Sequence, residues 1–167
     1  MTVTGASVVS DEIEKRLIAL EAAHQELRLS NENTERKYNS LLAMVGEATA
    51  GATTASMKAL AAAEKSLLAS SQAATAAKGA AIAGALKVAE TALLAARAAA
   101  DAAGDASVAA MEAWKAALII AGHDANPDNM QLSIKAHEAS TAATRAAINA
   151  LAVFTDAFEE VKKVSLG

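Results

Sequence analysis

The strongest constraint in this sequence is the spacing of apolar residues near its start, where intervals of four and three residues alternate. The ten positions, called here the N-terminal seam, form two interleaved series of sevens: Ile13, Leu20, Leu27, Thr34 and Leu41 in one, and Leu17, His24, Asn31, Tyr38 and Val45 in the other. Their average period of 3.5 residues is that of a left-handed coiled coil. Because two positions per heptad form a stripe too narrow to cover a globular core, the spacing predicts a helix that packs against partner helices.

Three members of the seam are polar: His24, Asn31 and Thr34. A buried polar residue lowers the stability of a coiled coil but fixes its register or oligomer number. The alternative is that the coil loosens after Leu27 and these side chains are hydrated. In a symmetric oligomer, His24 would form a ring able to bind an anion or a metal ion, or to respond to pH; otherwise it is a partly solvated seam residue.

Composition extends the helical prediction to the whole chain. Alanine, the best helix former, is the commonest residue, and proline occurs once. No run of alternating β-branched and aromatic residues indicates a strand. Aromatic residues make up only 2% of the chain, and since alanine buries little surface, a compact core would be poorly stabilised. We therefore expect an elongated, all-α, oligomeric protein.

Helix start and stop signals divide the chain into six segments. We predict a flexible or attachment peptide at 1–9, a coiled-coil helix at 10–46, a joint at 47–54, a long alanine-rich helix at 55–122, a loop at 123–126 and a C-terminal helix at 127–165. Ser10 is the expected N-cap of the first helix and Gly46 its C-terminal residue. The alternative for the joint is continuous helix with a weak point.

The long alanine-rich segment must pack against other helices, because small apolar residues cover most of its faces and charges are few. Gly79, Gly84 and Gly104 each cost about 1 kcal/mol in a helix interior relative to alanine. One of them is a candidate for a kink or break.

The clearest helix boundary is at the second loop. Gly122 suits the end of one helix, Asn126 can cap the next, and Pro127 fits its first position. A loop this short predicts an antiparallel helical hairpin. The folded-back helix carries an alanine stripe that ends in Phe154 and Phe158, and we expect these rings to lie near residues 82–94.

The strongest single apolar patch consists of Met111, Trp114 and Leu118, which lie at helical spacing. We include in it Phe154 and Phe158, from the end of the last helix. A core position is the first interpretation of this patch. Because tryptophan is enriched in interface hot spots, an oligomer or docking contact is the second.

No residue pattern indicates catalysis, a cofactor or a metal site. The chain has 3 histidines, which are scattered, and no cysteine. Residues 79–84 have the outer glycine spacing of a phosphate loop, but Ala85 and Leu86 replace the required Lys and Ser or Thr. Asp101, Asp105 and Glu112 share a helical face without partner carboxylates, as on a solvated surface. We expect a protein that is not an enzyme.

Charge and hydropathy exclude two classes of partner. The net charge is −4, and the basic residues form no continuous stripe, so direct nucleic-acid binding is not expected. The N-terminus lacks the regions of a secretory signal, and no apolar run approaches the ~20 residues of a spanning helix. We expect a soluble protein with no signal peptide and no membrane insertion.

A short N-terminal peptide, the heptads of residues 11–21 and the low-complexity helix of residues 69–78 together resemble the stalks of bacteriophage tail fibres and related tail proteins. The resemblance covers about residues 10–103 and carries no catalytic motif. It implies a homotrimeric stalk in a virion that contacts other structural proteins of the assembly, through residues 1–9 among others. Fibres usually end in a β-rich tip, whereas this chain ends in a helical hairpin, which favours a stalk, collar or connector over a receptor-binding tip.

Two other functions fit the same composition. A cytoplasmic scaffold or phasin-like coat would lay amphipathic helices on a hydrophobic surface and needs a wide face of large apolar residues. An assembly adaptor or chaperone needs a groove or an exposed hot spot, for which the patch around Trp114 is the support. Oligomeric mass and shape separate these classes.

Overall fold

The computed structural model describes residues 4–123 and 126–166, the stretch 4–11 by its backbone alone. Helix α1 spans Thr4–Ile82, α2 spans Leu86–His123 and α3 spans Pro127–Leu166. Among the described residues only 83–85 and 126 lie outside these helices, and none forms a strand. The protein is all-α, as predicted. The chain divides into two compact units, Met1–Met44 and Val45–Gly167.

The first unit contains residues 4–44 of α1. This helix begins at Thr4 rather than at the predicted N-cap Ser10, so residues 4–9 are helical and not an irregular peptide. Residues 1–3 of the predicted attachment segment lie outside the described residues. Glu12 and Arg16, four residues apart on this helix, form an ion pair with Nε and Oε1 3.2 Å apart.

The predicted joint at 47–54 is helical in the structure. Thr49 and Thr53 donate hydrogen bonds from their hydroxyls to the carbonyls four residues earlier, those of Val45 and Thr49, at 2.8 and 2.9 Å. These bonds satisfy the hydroxyls inside the helix, where they do not compete with the backbone. What changes here is the heptad register. The seam series that includes Val45 would continue seven residues later, at residue 52. The buried series of the second unit runs instead through Thr49, only four residues after Val45. Such an insertion of four residues into a heptad pattern is called a stutter.

The second unit is a three-helix bundle made of residues 45–82 of α1 together with α2 and α3. Ser56 contacts Ala110 and Ala136, and Ser70, fourteen residues later, contacts Ala96 and Ala150. Residue numbers therefore rise together in α1 and α3 and fall in α2. Helices α1 and α3 are parallel, and α2 is antiparallel to both.

The bundle core is built from small residues in heptad series. In each helix one series of buried residues repeats every seven positions, with further buried residues between its members. The series are Thr49, Ser56, Ala63, Ser70 and Ala77 in α1; Ala89, Ala96, Ala103, Ala110 and Ala117 in α2; Asn129, Ala136, Ala143, Ala150 and Ala157 in α3. Such side chains permit short distances between helix axes. Close approach along the full length of the bundle therefore replaces the burial of large side chains.

The predicted single helix at 55–122 is two helices, because α1 ends at a turn around Gly84. Gly84 has φ of +76°, a conformation that costs a residue with a Cβ about 1–2 kcal/mol. Its N–H donates to the carbonyl of Ala81 at 3.0 Å, and the N–H of Ala85 donates to the carbonyl of Ala80 at 2.9 Å. This pair of bonds is the Schellman motif. Gly79 and Gly104 lie inside helices.

The predicted hairpin between α2 and α3 is present. Asn126 caps α3, because its Oδ1 accepts a hydrogen bond from the N–H of Asp128 at 2.9 Å, and Pro127 is the first helical residue. Phe154 packs against the cluster that contains Ala89 and Leu93. The folded-back helix thus brings this ring to the region predicted for it.

Candidate interaction surfaces

The N-terminal seam is exposed along its whole length in the first unit. Leu20 is 71% exposed and Leu27 is 65% exposed, and Ile13, Leu17, Tyr38 and Leu41 are exposed as well. The polar members His24, Asn31 and Thr34 are also exposed, while Val45, the first residue of the second unit, is half-buried. A row of large apolar side chains at coiled-coil spacing therefore faces solvent in a single chain.

The flanks of this helix carry ion pairs along the chain rather than a one-signed surface. Glu32 contacts Arg28, with Nε and Oε1 3.5 Å apart, and Arg36, with Nη2 and Oε2 3.9 Å apart. Pairs at this spacing each stabilise a helix by about 0.2–0.5 kcal/mol. The polar sides of the helix thus support the helical state while the seam stays uncovered.

The second unit places its large apolar residues outside and its small residues inside. Met57, Leu68, Val108, Ile119 and Ile148 are all more than half exposed, whereas the buried core is mostly alanine. Soluble monomers rarely expose large contiguous apolar patches. In a single chain these large apolar side chains therefore face solvent.

The predicted patch at Met111, Trp114 and Leu118 lies at the rim of the bundle. Trp114 is half-buried and rests on His137 of α3, with ring centroids 4.5 Å apart and a tilt of 47°. Met111 and Leu118 are exposed. The two phenylalanines also differ in burial. Phe154 is half-buried against the core cluster, whereas Phe158 is 44% exposed.

A second apolar row runs along the outside of α3, and of its members only Phe158 was predicted from the sequence. The row, called here the outer row, alternates intervals of four and three residues through Met130, Ile134, His137, Thr141, Thr144, Ile148, Leu151, Thr155 and Phe158. All nine are exposed, and none is an acidic residue, a lysine or an arginine. The spacing alone would have identified this row, but the alanine stripe on the other side of the helix is more conspicuous.

The acidic residues considered as a site are surface residues of α2 with local partners. Asp101 lies 3.9 Å from Arg97, and Glu112 lies 2.7 Å from Lys115. No group of three or more His, Asp or Glu side chains within the described residues is arranged to hold a metal ion. His24, His123 and His137 lie at separate positions, on the seam, at the end of α2 and on α3.

One cluster of charges joins α1 and α3 in the bundle. Lys78 of α1 lies 2.6 Å from Asp156 and 3.1 Å from Glu160, both on α3. Hydrogen bonds to these carboxylates, first to Asp156 and then to Glu160, raise the pKa of Lys78 above its ordinary value of 10.5. This cluster joins two parallel helices and has the character of a structural contact.

Comparison with known proteins assigns no family. The sequence matches no protein-family model, no curated protein and no solved structure. Among the described residues, no helix is long and apolar enough to cross a membrane.

Proposed function

We propose that this chain is a self-associating structural protein whose N-terminal seam forms a coiled coil with other copies of itself. The observation that carries the proposal is the exposure of Ile13, Leu17, Leu20 and Leu27 at coiled-coil spacing. Full burial of one such side chain stabilises an assembly by about 1.5–3 kcal/mol. Copies of the same helix supply the matching seam, so the chain needs no other partner to cover it.

The role within an assembly is that of a stalk, connector or fibre component, as in a virion tail. The resemblance of the heptads and the low-complexity helix to phage tail stalks supports this role and favours a homotrimer. The three polar seam positions, His24, Asn31 and Thr34, support a defined oligomer number, because a buried polar side chain discriminates among coiled-coil states. The proposed role requires no catalysis and no cofactor.

The oligomeric mass in solution tests this proposal. Light scattering after size exclusion, on a chain of 16.8 kDa, should give the mass of three copies, or a multiple of that mass, at micromolar concentration. A mass of two or four copies would contradict the trimer and keep the coiled coil. A monomer at all concentrations would overturn the proposal.

A coat on a hydrophobic surface is the second candidate function, and one observation favours it. The bundle exposes large apolar residues, among them Ile148 and Leu151 at 63% and 55%, over a core of alanine. Such a coat would bind hydrophobic polymer particles and vesicles, with the bundle opening onto the surface. Co-sedimentation with polyester particles tests it: retention of the chain on the particles supports the coat, and a chain left wholly in the supernatant eliminates it.

A further inference from the structure

The outer row of α3 has the properties of a second coiled-coil seam. It runs from Met130 to Phe158, which at 1.5 Å per residue is about 42 Å long. Its alternation of four and three is the spacing that lets one helix insert side chains between those of another. The row lies on the opposite side of the helix from the grooves against α1, and Ile148 and Leu151 line a groove between α2 and α3.

Two polar members of the outer row, Thr144 and Thr155, can be buried at low cost. The hydroxyls of Thr144 and Thr155 already donate hydrogen bonds to the carbonyls of Ser140 and Leu151, at 3.0 and 2.9 Å. Covering them leaves no unpaired donor, which is the main penalty for burying a hydroxyl. His137 is held against Trp114.

We propose that the outer row is an interface on which α3 of a second copy packs antiparallel. The larger apolar side chains lie toward both ends of the row, and Thr141 and Thr144 lie near its centre. An antiparallel pair about an axis between those threonines places His137 of one copy opposite Ile148 of the other and Met130 opposite Thr155. Ile134 of one copy meets Leu151 of the other, and the contact occurs twice.

Charge complementarity selects the antiparallel direction. Glu138 and Arg145 flank the row and lie seven residues apart, and among the described residues neither forms an ion pair. Antiparallel packing about the central threonines brings Glu138 of each copy beside Arg145 of the other. In a parallel pair the same positions lie beside Ser133 and Ser140, which carry no charge.

The outer row supplies part of the area that a stable dimer needs. A helix contact about 42 Å long and about 10 Å wide covers about 400 Å², which is half of the ~800 Å² per partner of standard interfaces. Gly104 of α2 lines the same groove as Ile148, and Met111 and Leu118 continue its side of α2 at heptad spacing. These neighbours extend the surface beyond α3.

Two separate self-association surfaces have a structural consequence. The N-terminal seam joins copies through the first unit, and the outer row joins copies through the second. Interfaces of different symmetry on one chain link oligomers to one another, so assembly can continue beyond a closed ring.

Cysteine cross-linking tests the interface and its direction, because the chain contains no cysteine. Thr144→Cys lies near the proposed axis and should form a covalent dimer under mild oxidation. Met130→Cys should not, because antiparallel packing holds the two copies of residue 130 about 37 Å apart. Asn149→Cys, exposed on α3 but outside the row, is the control for random collisions.

The outcomes are distinct. Ile134→Cys mixed with Leu151→Cys should cross-link, while neither should cross-link with itself. Self-linking of Met130→Cys as readily as Thr144→Cys would show parallel contact and overturn the proposal, as would cross-linking of Thr144→Cys no faster than Asn149→Cys. All variants are also made with Leu27→Asp, which disables the N-terminal seam. Loss of the cross-links in the Leu27→Asp background would also overturn the proposal, because the outer row would then not associate without the N-terminal seam.

Exchanging the charges of Glu138 and Arg145 in the Leu27→Asp background tests the same interface independently, through the strength of dimerisation. Glu138→Arg places like charges together twice and should weaken dimerisation about tenfold. The double variant Glu138→Arg with Arg145→Glu should restore it to near the starting value. Equal weakening in the single and double variants would contradict the antiparallel pairing.

Discussion

Ser56 and Ala136 are joined by a hydrogen bond of 2.9 Å from the Ser56 Oγ to the carbonyl oxygen of Ala136, across the contact between α1 and α3. Ser56 is 0% exposed, and its Oγ also lies 3.2 Å from the carbonyl oxygen of Ala110. The site therefore holds a small side chain with one hydroxyl, enclosed by the backbones of two other helices.

Enlarging this side chain should separate the helices. Ser56→Val adds volume at a site without free space and should lower the free energy of unfolding by about 1–3 kcal/mol. Ser56→Ala removes only the hydrogen bond and should cost no more than about 1 kcal/mol. Denaturant unfolding followed by circular dichroism, at one fixed protein concentration, measures both. Ala55→Val, at the exposed neighbour, controls for the helix propensity of valine, and an equal loss there would contradict the packing argument.

The turn between α1 and α2 depends on one glycine. Gly84→Ala places a residue with a Cβ in the left-handed backbone region, at φ of +76°. The substitution should lower the free energy of unfolding by about 1–2 kcal/mol. Gly79→Ala, in a helix with nothing within 4 Å of the added Cβ, should instead raise it by about 0.5–1 kcal/mol. Thermal unfolding of the two variants gives the comparison. A change in the free energy of unfolding of the same sign in both variants would contradict the left-handed conformation of Gly84.

The Lys78 cluster predicts a dependence of stability on alkaline pH. Because the two carboxylates raise the folded-state pKa of Lys78 above 10.5, its contribution is fully present below pH 10.5 and is lost as the pH rises through the raised value. The melting temperature of the parent should therefore fall more steeply above that pH than that of Lys78→Gln. Lys58→Gln, at an exposed lysine, is the control and should follow the parent.

Asn31 sets a balance between stability and specificity in the proposed coiled coil. Asn31→Leu replaces a polar seam residue with an apolar one and should stabilise association by about 1–2 kcal/mol per chain, while broadening the distribution of oligomer numbers. Sedimentation velocity resolves the species. A variant that associates more weakly than the parent would show that position 31 lies outside the seam.

The sequence predicted the elements whose signals are local. Helical composition gave the fold class, and Asn126 with Pro127 located the start of α3 because capping involves only neighbouring residues. The turn at Gly84 was not distinguished from Gly79 or Gly104, since the choice depends on which glycine lets the chain fold back onto its alanine faces. Residues 47–54 are helical, which was the alternative to a joint, and the hydroxyls of Thr49 and Thr53 bond to carbonyls of the same helix. Burial of Ser56 and Ser70 could not be predicted, because their acceptors lie on helices that are distant in sequence.

The most direct test of self-association compares Leu27→Asp with Leu29→Asp. The two leucines lie two residues apart in α1 and are 65% and 56% exposed, but only Leu27 belongs to the N-terminal seam. Light scattering should show that Leu29→Asp keeps the mass of the parent oligomer, whereas Leu27→Asp shifts to a smaller mass at the same concentration. Equal masses for the two variants and the parent would contradict a coiled coil through the N-terminal seam.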